Sequence, residues 1–308
     1  MSEPRSAPAA ADRAKVRTLI GLTAELAAVP EVRRQGEGDV VDGVRVRRLV
    51  LTSPDGGDVP CLYLTPGSEG PWPGVVAVHQ HNDEFHLGKS EPAGLAGDPT
   101  MAYGAAMARL GVAVVVPDLL GFEDRRAAGP RGERGYELLE AFHLLAVGTT
   151  LQAQHVRDVA LAVSFLGTQA DVTDRIGVIG HSLGGQVALF ATACDPRIGS
   201  AVLSCGVGTV ESFHRESVLH NPAWYVPGVI PAGDVPAVAA VAAGQTFWVS
   251  AGSADPLFPL DGVEAVVAGF PAGAAELHVF DGGHAFPPQV AGPATTWLAR
   301  ALGATVAG

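Results

Sequence analysis

Lysine is almost missing from this chain. Two lysines, Lys15 and Lys89, stand against eighteen arginines in 308 residues, and the formal net charge is −12. An acidic surface repels polyanions, so neither nucleic acid nor an anionic membrane is expected as a partner. Cysteine is scarce too. Cys61, Cys194 and Cys205 are an odd number without metal-type spacing, and read as small buried residues of a reducing compartment. No apolar run reaches the length of about 18 residues that a membrane span needs. The opening MSEPRSAPAAADRAK has no apolar core of the signal-peptide kind, so a cytoplasmic location is the expectation.

Apolar residues are nevertheless plentiful, at 47% of the chain, enough for a sizeable core. Residues 1–30 read as an extension, disordered over 1–9 and helical over 10–28, where Val16, Leu19, Ile20 and Leu26 share a face ahead of Pro30. The domain proper is then 31–308. VRVRRLVLTS, VPCLYLTP, GVVAVHQ, VAVVVPD, RIGVIGHS, GSAVLSC, TFWVSAG and AELHVFDGG read as strands. TMAYGAAMARLG, most of 135–167, DGVEAVVAGF and QVAGPATTWLARAL read as helices. Such alternation predicts an α/β fold, a mostly parallel sheet covered on both faces, with the first two strands as an antiparallel edge. Two stretches, 119–150 and 206–243, are too long for plain connections. They are candidate lid insertions beyond the carboxyl ends of strands, where ligands bind in such sheets.

Gly180-His181-Ser182-Leu183-Gly184 lies between a strand and a helix. Glycines on both sides let backbone pass where a Cβ would clash, and the serine is lifted on a sharp turn. A serine hydroxyl needs a base, and the base an orienting acid, in the chain order Ser, acid, His. Asp255 follows the strand TFWVSAG and His284 follows the strand AELHVFDGG, which brings both to the edge that carries Ser182. Asp234 and Asp261 compete as acids, although Asp261 better opens a helix. Asp281 better shapes the turn before His284, and His278 belongs to strand alternation. An oxyanion needs two N–H donors. The Leu183 backbone at the start of the following helix supplies one. The loop Gln80-His81-Asn82 supplies the other, from His81 or, second, from Gln80.

The chain resembles the α/β-hydrolase superfamily and, within it, the dienelactone-hydrolase-like and acetyl-xylan-esterase-like branch. The resemblance rests on VVAVHQHNDEFHLGKSEPAGL, GVAVVVPDLLGFEDRR, DVALAVSFLGTQADVTDRIGVIGHSLGG, YVPGVIPAGD, SAGSADPLFP and GGHAF, spread over 74–286. It implies Ser182 as nucleophile, Asp255 as acid and His284 as base, with hydrolysis of a small-molecule ester or lactone and no cofactor. AAGQTFW stands where the family often has Pro-Arg-Pro, and Glu123 where a glycine is common.

Other residues offer further chemistry. His79, His81 and His86 with Asp83 and Glu84 could form a metal cluster, but the loop already has the oxyanion role and no metal is expected. Lys89-Ser90-Glu91 and Asp118 read as braces for neighbouring loops. Arg125 and Arg126 could receive a substrate carboxylate, against ordinary pairing with Glu123, Asp124 or Glu133. Tyr136, Phe142 and His143 from one insertion, and His214, His220, Trp224 and Tyr225 from the other, are candidate pocket walls, as is His181 beside the serine. The second group would equally suit a structural plug or a homodimer contact. Two other functions compete: a lyase on the same fold that eliminates an acyloxy group such as acetate, as in secondary metabolism, and a non-catalytic binding module, which would predict a broken triad.

Overall fold

The computed structural model describes residues 7–23, 25–54, 57–127 and 132–304, with 7–11 and 35–37 as backbone only. Helix α1 (Ala7–Leu19) precedes an antiparallel meander of β1 (Glu31–Val41), β2 (Val44–Thr52) and β3 (Asp58–Thr65). Strands and helices then alternate. β4 (Trp72–Val78), α2 (Tyr103–Arg109) and β5 (Ala113–Pro117) are followed by α3 (Gly132–Ala146) and α4 (Leu151–Gly167). After them come β6 (Val172–His181), α5 (Leu183–Cys194), β7 (Ile198–Ser204), α6 (Val210–Arg215) and α7 (Asp234–Ala240). β8 (Thr246–Gly252), α8 (Leu260–Gly269), β9 (Ala275–Phe280) and α9 (Pro288–Ala301) follow.

Among the described residues nine strands join one sheet in the order β1-β2-β3-β5-β4-β6-β7-β8-β9. β3 meets β5 antiparallel, and every pairing from β5 through β4 to β9 is parallel. Leaving β4, the chain goes to one side for β5 and returns to the other side for β6. The crevice opened by such a reversal lies at the carboxyl ends of β4 and β6.

Side-chain alternation along the central strands divides the core in two. Ala113 and Val115 of β5, Val76 of β4 and Val178 of β6 pack on α4 and α5. Val114, Val75 and Ile179, their neighbours, pack on the opposite face under α2 and α9. Apolar residues at consecutive positions are what a strand covered on both faces requires.

Two readings of the chain are corrected. β1 was not expected, because EVRRQGEGDVV carries charge and two glycines. It pairs on one side only, and an edge strand tolerates polar residues that a central strand does not. The N-terminal helix runs over 7–19 rather than 10–28. Ala7–Ala9 are helical, and 1–6 lie outside the described residues. The helix stops because Gly21 takes a φ of +73°, where a Cβ would come within 2.7 Å of Thr149 Cα.

Helix α1 is tied to the body. The buried Arg13 donates to the carbonyls of Thr192 and Ala193 and to Gln245 Oε1, and Arg17 donates to the Cys194 carbonyl. Two cations therefore cover the carbonyl end of α5, where the helix dipole favours positive charge. Replacing Arg13 by methionine leaves buried acceptors without a donor. The expected loss is about 2–3 kcal/mol, read as a lower urea midpoint at constant m. An unmoved midpoint would mean that the Arg13 bonds add nothing to stability.

Both insertions carry elements of their own. The first contains a 3-10 turn, Glu123–Arg125, and α3, and the second contains α6, a 3-10 turn at Pro222–Trp224, and α7. The three cysteines are unpaired and buried. Among the described residues no helix is long and apolar enough to cross a membrane.

Candidate active site

β6 ends at His181, and the next residue turns sharply into α5. Ser182 has φ 55° and ψ −119°, a conformation that costs a non-glycine residue on the order of 1–3 kcal/mol and marks functional turns. The glycines make the turn possible. A Cβ on Gly180 would lie 2.2 Å from the Gly184 carbonyl carbon, and one on Gly184 would lie 2.0 Å from the Val78 oxygen. Leu183 is the first residue of α5, so its N–H stands at the positive end of that helix.

Asp255 follows β8 and is held before it meets its partner. Its Oδ1 accepts the N–H groups of Leu257 (2.8 Å) and Phe258 (3.3 Å). Its Oδ2 lies 2.9 Å from His284 Nδ1, and its side chain is fully buried. A carboxylate can only accept, so the His284 ring proton sits on Nδ1 and Nε2 carries a free lone pair. The His284 ring lies between Phe258 and His181, at centroid distances of 5.6 and 4.8 Å. Cys205 Sγ, one residue beyond β7, lies within 4.8 Å of ligand atoms of both Asp255 and His284, a neighbour that the sequence reading did not bring to the site.

The competing acids are used elsewhere. Asp234 accepts the Val210 and Glu211 N–H groups at the start of α6, and Asp261 pairs with Arg215. Asp281 is exposed, and His278 stacks on Trp248 at 3.5 Å.

Ser182 and His284 line one pocket of about 330 Å³. Its polar wall includes His81 and Glu137. Its apolar wall comes from Leu138, Ala141, Phe142 and Leu145 of α3, together with Leu219 and Leu257. Of the expected wall residues, His220 and Tyr225 line this pocket, as does Phe142. Burial pushes the His220 imidazole down to about 4, and its Nε2 donates to the Leu257 carbonyl at 2.8 Å, so it is an uncharged wall.

The remaining expected wall residues are not in this wall. Trp224 is 1% exposed and packs on Phe190, Phe213 and Phe258 as a plug. His181 is buried beneath the site, with Nδ1 3.0 Å from Ser204 Oγ. Arg125 is taken by Asp158 (2.5 Å) and the Asp118 carbonyl, and Arg126 by Glu133 (3.3 Å). His143 and His214 are exposed, His214 in a separate shallow groove with Ile230, and Tyr136 lies outside the wall. Glu137 was missed. Its signal was a stripe of Arg134, Glu137 and Ala141 on one face of α3, visible only once that helix is given a direction.

The ring nitrogens of His79 and His81 are held in hydrogen bonds. Burial pushes the His79 imidazole down to about 4; Nδ1 donates to the Gln80 carbonyl and Nε2 accepts the Leu119 N–H. Both His81 nitrogens are also engaged, with the Asp83 N–H and Glu137, and His86 is exposed. The loop that follows is braced. Lys89, 4% exposed, reaches Asp118 (3.2 Å), Glu123 (2.7 Å) and Asp124 (2.8 Å), and Gln80 Nε2 donates to Glu91. Glu123, where the family often has glycine, also accepts the Ser90 N–H and hydroxyl.

The chain is similar in sequence and fold to known proteins. The dienelactone hydrolase family matches residues 61–294. YtaP of Bacillus subtilis (strain 168), which carries the provisional name of hydrolase, is 28% identical over 212 residues, 67% of this chain and 69% of its own. Acetyl xylan esterase 1 from Thermoanaerobacterium sp. JW/SL YS485 superposes with a TM-score of 0.68 at 16% identity, covering 97% of this chain and 95% of its own. The glucuronoyl esterase from Solibacter usitatus gives 0.68 at 14% identity, covering 94% and 92%. With three quarters of its length inside the family match, the chain belongs to the dienelactone hydrolase family and is a carboxylic ester hydrolase of the α/β-hydrolase fold.

Proposed function

We propose that this protein hydrolyses a small-molecule ester or lactone through Ser182, His284 and Asp255 and a covalent acyl-enzyme. The observation that carries the reading is the 2.9 Å hydrogen bond from His284 to the buried Asp255, His284 lining one pocket with the strained Ser182. Ser182 Oγ attacks the carbonyl carbon while His284 Nε2 takes its proton. The bond to the alcohol oxygen breaks, and His284 returns the proton to that oxygen. Water, deprotonated by His284, then attacks the acyl carbon, frees the acid and restores the serine. The N–H groups of Leu183 and His81 stabilise the tetrahedral oxyanion, each worth about 3 kcal/mol. The leucines and Phe142 around the pocket favour a substrate with an apolar body. A cytoplasmic setting suits three unpaired cysteines.

The competing elimination breaks a different bond, and oxygen labelling separates the two. The probe is 2-phenylethyl butyrate turned over in heavy-oxygen water. Hydrolysis through the acyl-enzyme yields 2-phenylethanol and butyrate with one solvent oxygen, which is the expected result. Unlabelled butyrate with styrene would sink the hydrolytic reading and leave the fold unaffected.

A further inference from the structure

His81 is gripped from outside its own loop. Its Nδ1 accepts the Asp83 N–H at 3.0 Å, so the ring proton is on Nε2. That Nε2–H points at both oxygens of Glu137, at 3.0 and 3.1 Å. Glu137 lies in α3, within an insertion, yet is only 3% exposed. Arg134, three residues earlier on the same helix, forms an ion pair with Asp83. One face of α3 thus holds both ends of the turn 81–83.

That turn needs holding. Asn82 and Asp83 have φ of 45° and 54°, left-handed conformations in two consecutive non-glycine residues. Aspartate and asparagine tolerate this region better than most residues, but the local backbone does not enforce it. The Arg134–Asp83 pair is well exposed on both sides, so its contribution is small. The Glu137 contact is the stronger grip, because it is buried and water does not compete for it.

We propose that Glu137, assisted by Arg134, is a positioning residue that fixes the 81–83 turn so that the backbone N–H of His81 faces the oxyanion. The inference rests on the triad reading above. Its consequence is a link between specificity and rate. The helix that aims the donor also carries Leu138, Ala141, Phe142 and Leu145 of the apolar wall. A substrate body that seats on α3 therefore steadies the donor, and binding energy remote from the ester is used at the reacting carbon.

The test compares Glu137→Ala, Glu137→Gln and Arg134→Met with 4-nitrophenyl butyrate as probe. Misplacing one oxyanion donor is expected to lower kcat by about 10- to 100-fold in Glu137→Ala, with KM within about threefold. Glu137→Gln should recover most of that loss, since its carbonyl oxygen still accepts the His81 ring Nε2–H. Arg134→Met should lose about twofold. If Glu137→Ala does not fold, His81→Phe removes the same bond while keeping a ring against Phe85 and Phe122, and should show the same loss in kcat. An unchanged kcat, a loss confined to KM, or a Gln variant as poor as Ala overturns the proposal. Turnover that persists in Ser182→Ala would instead overturn the triad reading, so the two failures are distinguishable.

Discussion

Ser182→Ala is expected to lower kcat by about 10⁵- to 10⁶-fold while leaving the fold intact. The attacking atom is the hydroxyl oxygen, and no other group at the elbow can replace it. Cys205 is close, but burial pushes its thiol up to about 12, so it is not a thiolate at neutral pH. The turn itself depends on the closeness of Gly180, Gly184 and the Val78 carbonyl, none of which the substitution touches. The melting temperature should therefore stay near that of the wild type. A serine-directed phosphonate should add once to the wild-type mass and not to the variant. An adduct of equal yield on both would move the nucleophile elsewhere.

Asp255→Asn is expected to lower kcat by about 10⁴-fold. Two backbone N–H groups, of Leu257 and Phe258, already point at Oδ1. In the variant they hold the amide oxygen at that position, which turns the NH₂ toward His284 Nδ1. Two donors cannot face each other, so the imidazole takes the other tautomer and its proton moves to Nε2. A base with a proton already in place cannot accept the one from Ser182. Asp234→Asn is the control. It weakens the cap of α6, where the carboxylate serves two N–H groups at once, and should act on stability more than on kcat. A folded Asp234→Asn enzyme with the larger loss in kcat would refute the choice of acid.

What could be read along the chain was what neighbours in sequence decide. The serine turn is local. Gly180, Gly184 and the two flanking elements set it within about ten residues, and the close approach of Gly180 to Gly184 follows from the missing Cβ atom. The central strands were legible because burial on both faces demands apolar residues at every position, whatever lies above them. Asp255 and His284 were legible by position, as residues that follow parallel strands and so reach one sheet edge. The edge strand β1 was not, because half of its pairing is with solvent and its composition carries little constraint.

The pocket wall was decided by contacts between distant residues. Arg125 had three acids nearby in sequence and instead pairs with Asp158, 33 positions on. Trp224 and Tyr225 are adjacent, yet one is a buried plug and the other lines the pocket. Glu137 and Leu138 are adjacent as well, but each meets the pocket differently: one reaches the oxyanion loop and the other belongs to the apolar wall. A charged or aromatic side chain has many partners of similar energy along the chain. Only packing the helices against the sheet selects one, because that step removes water and leaves each buried polar group with the partner that geometry allows.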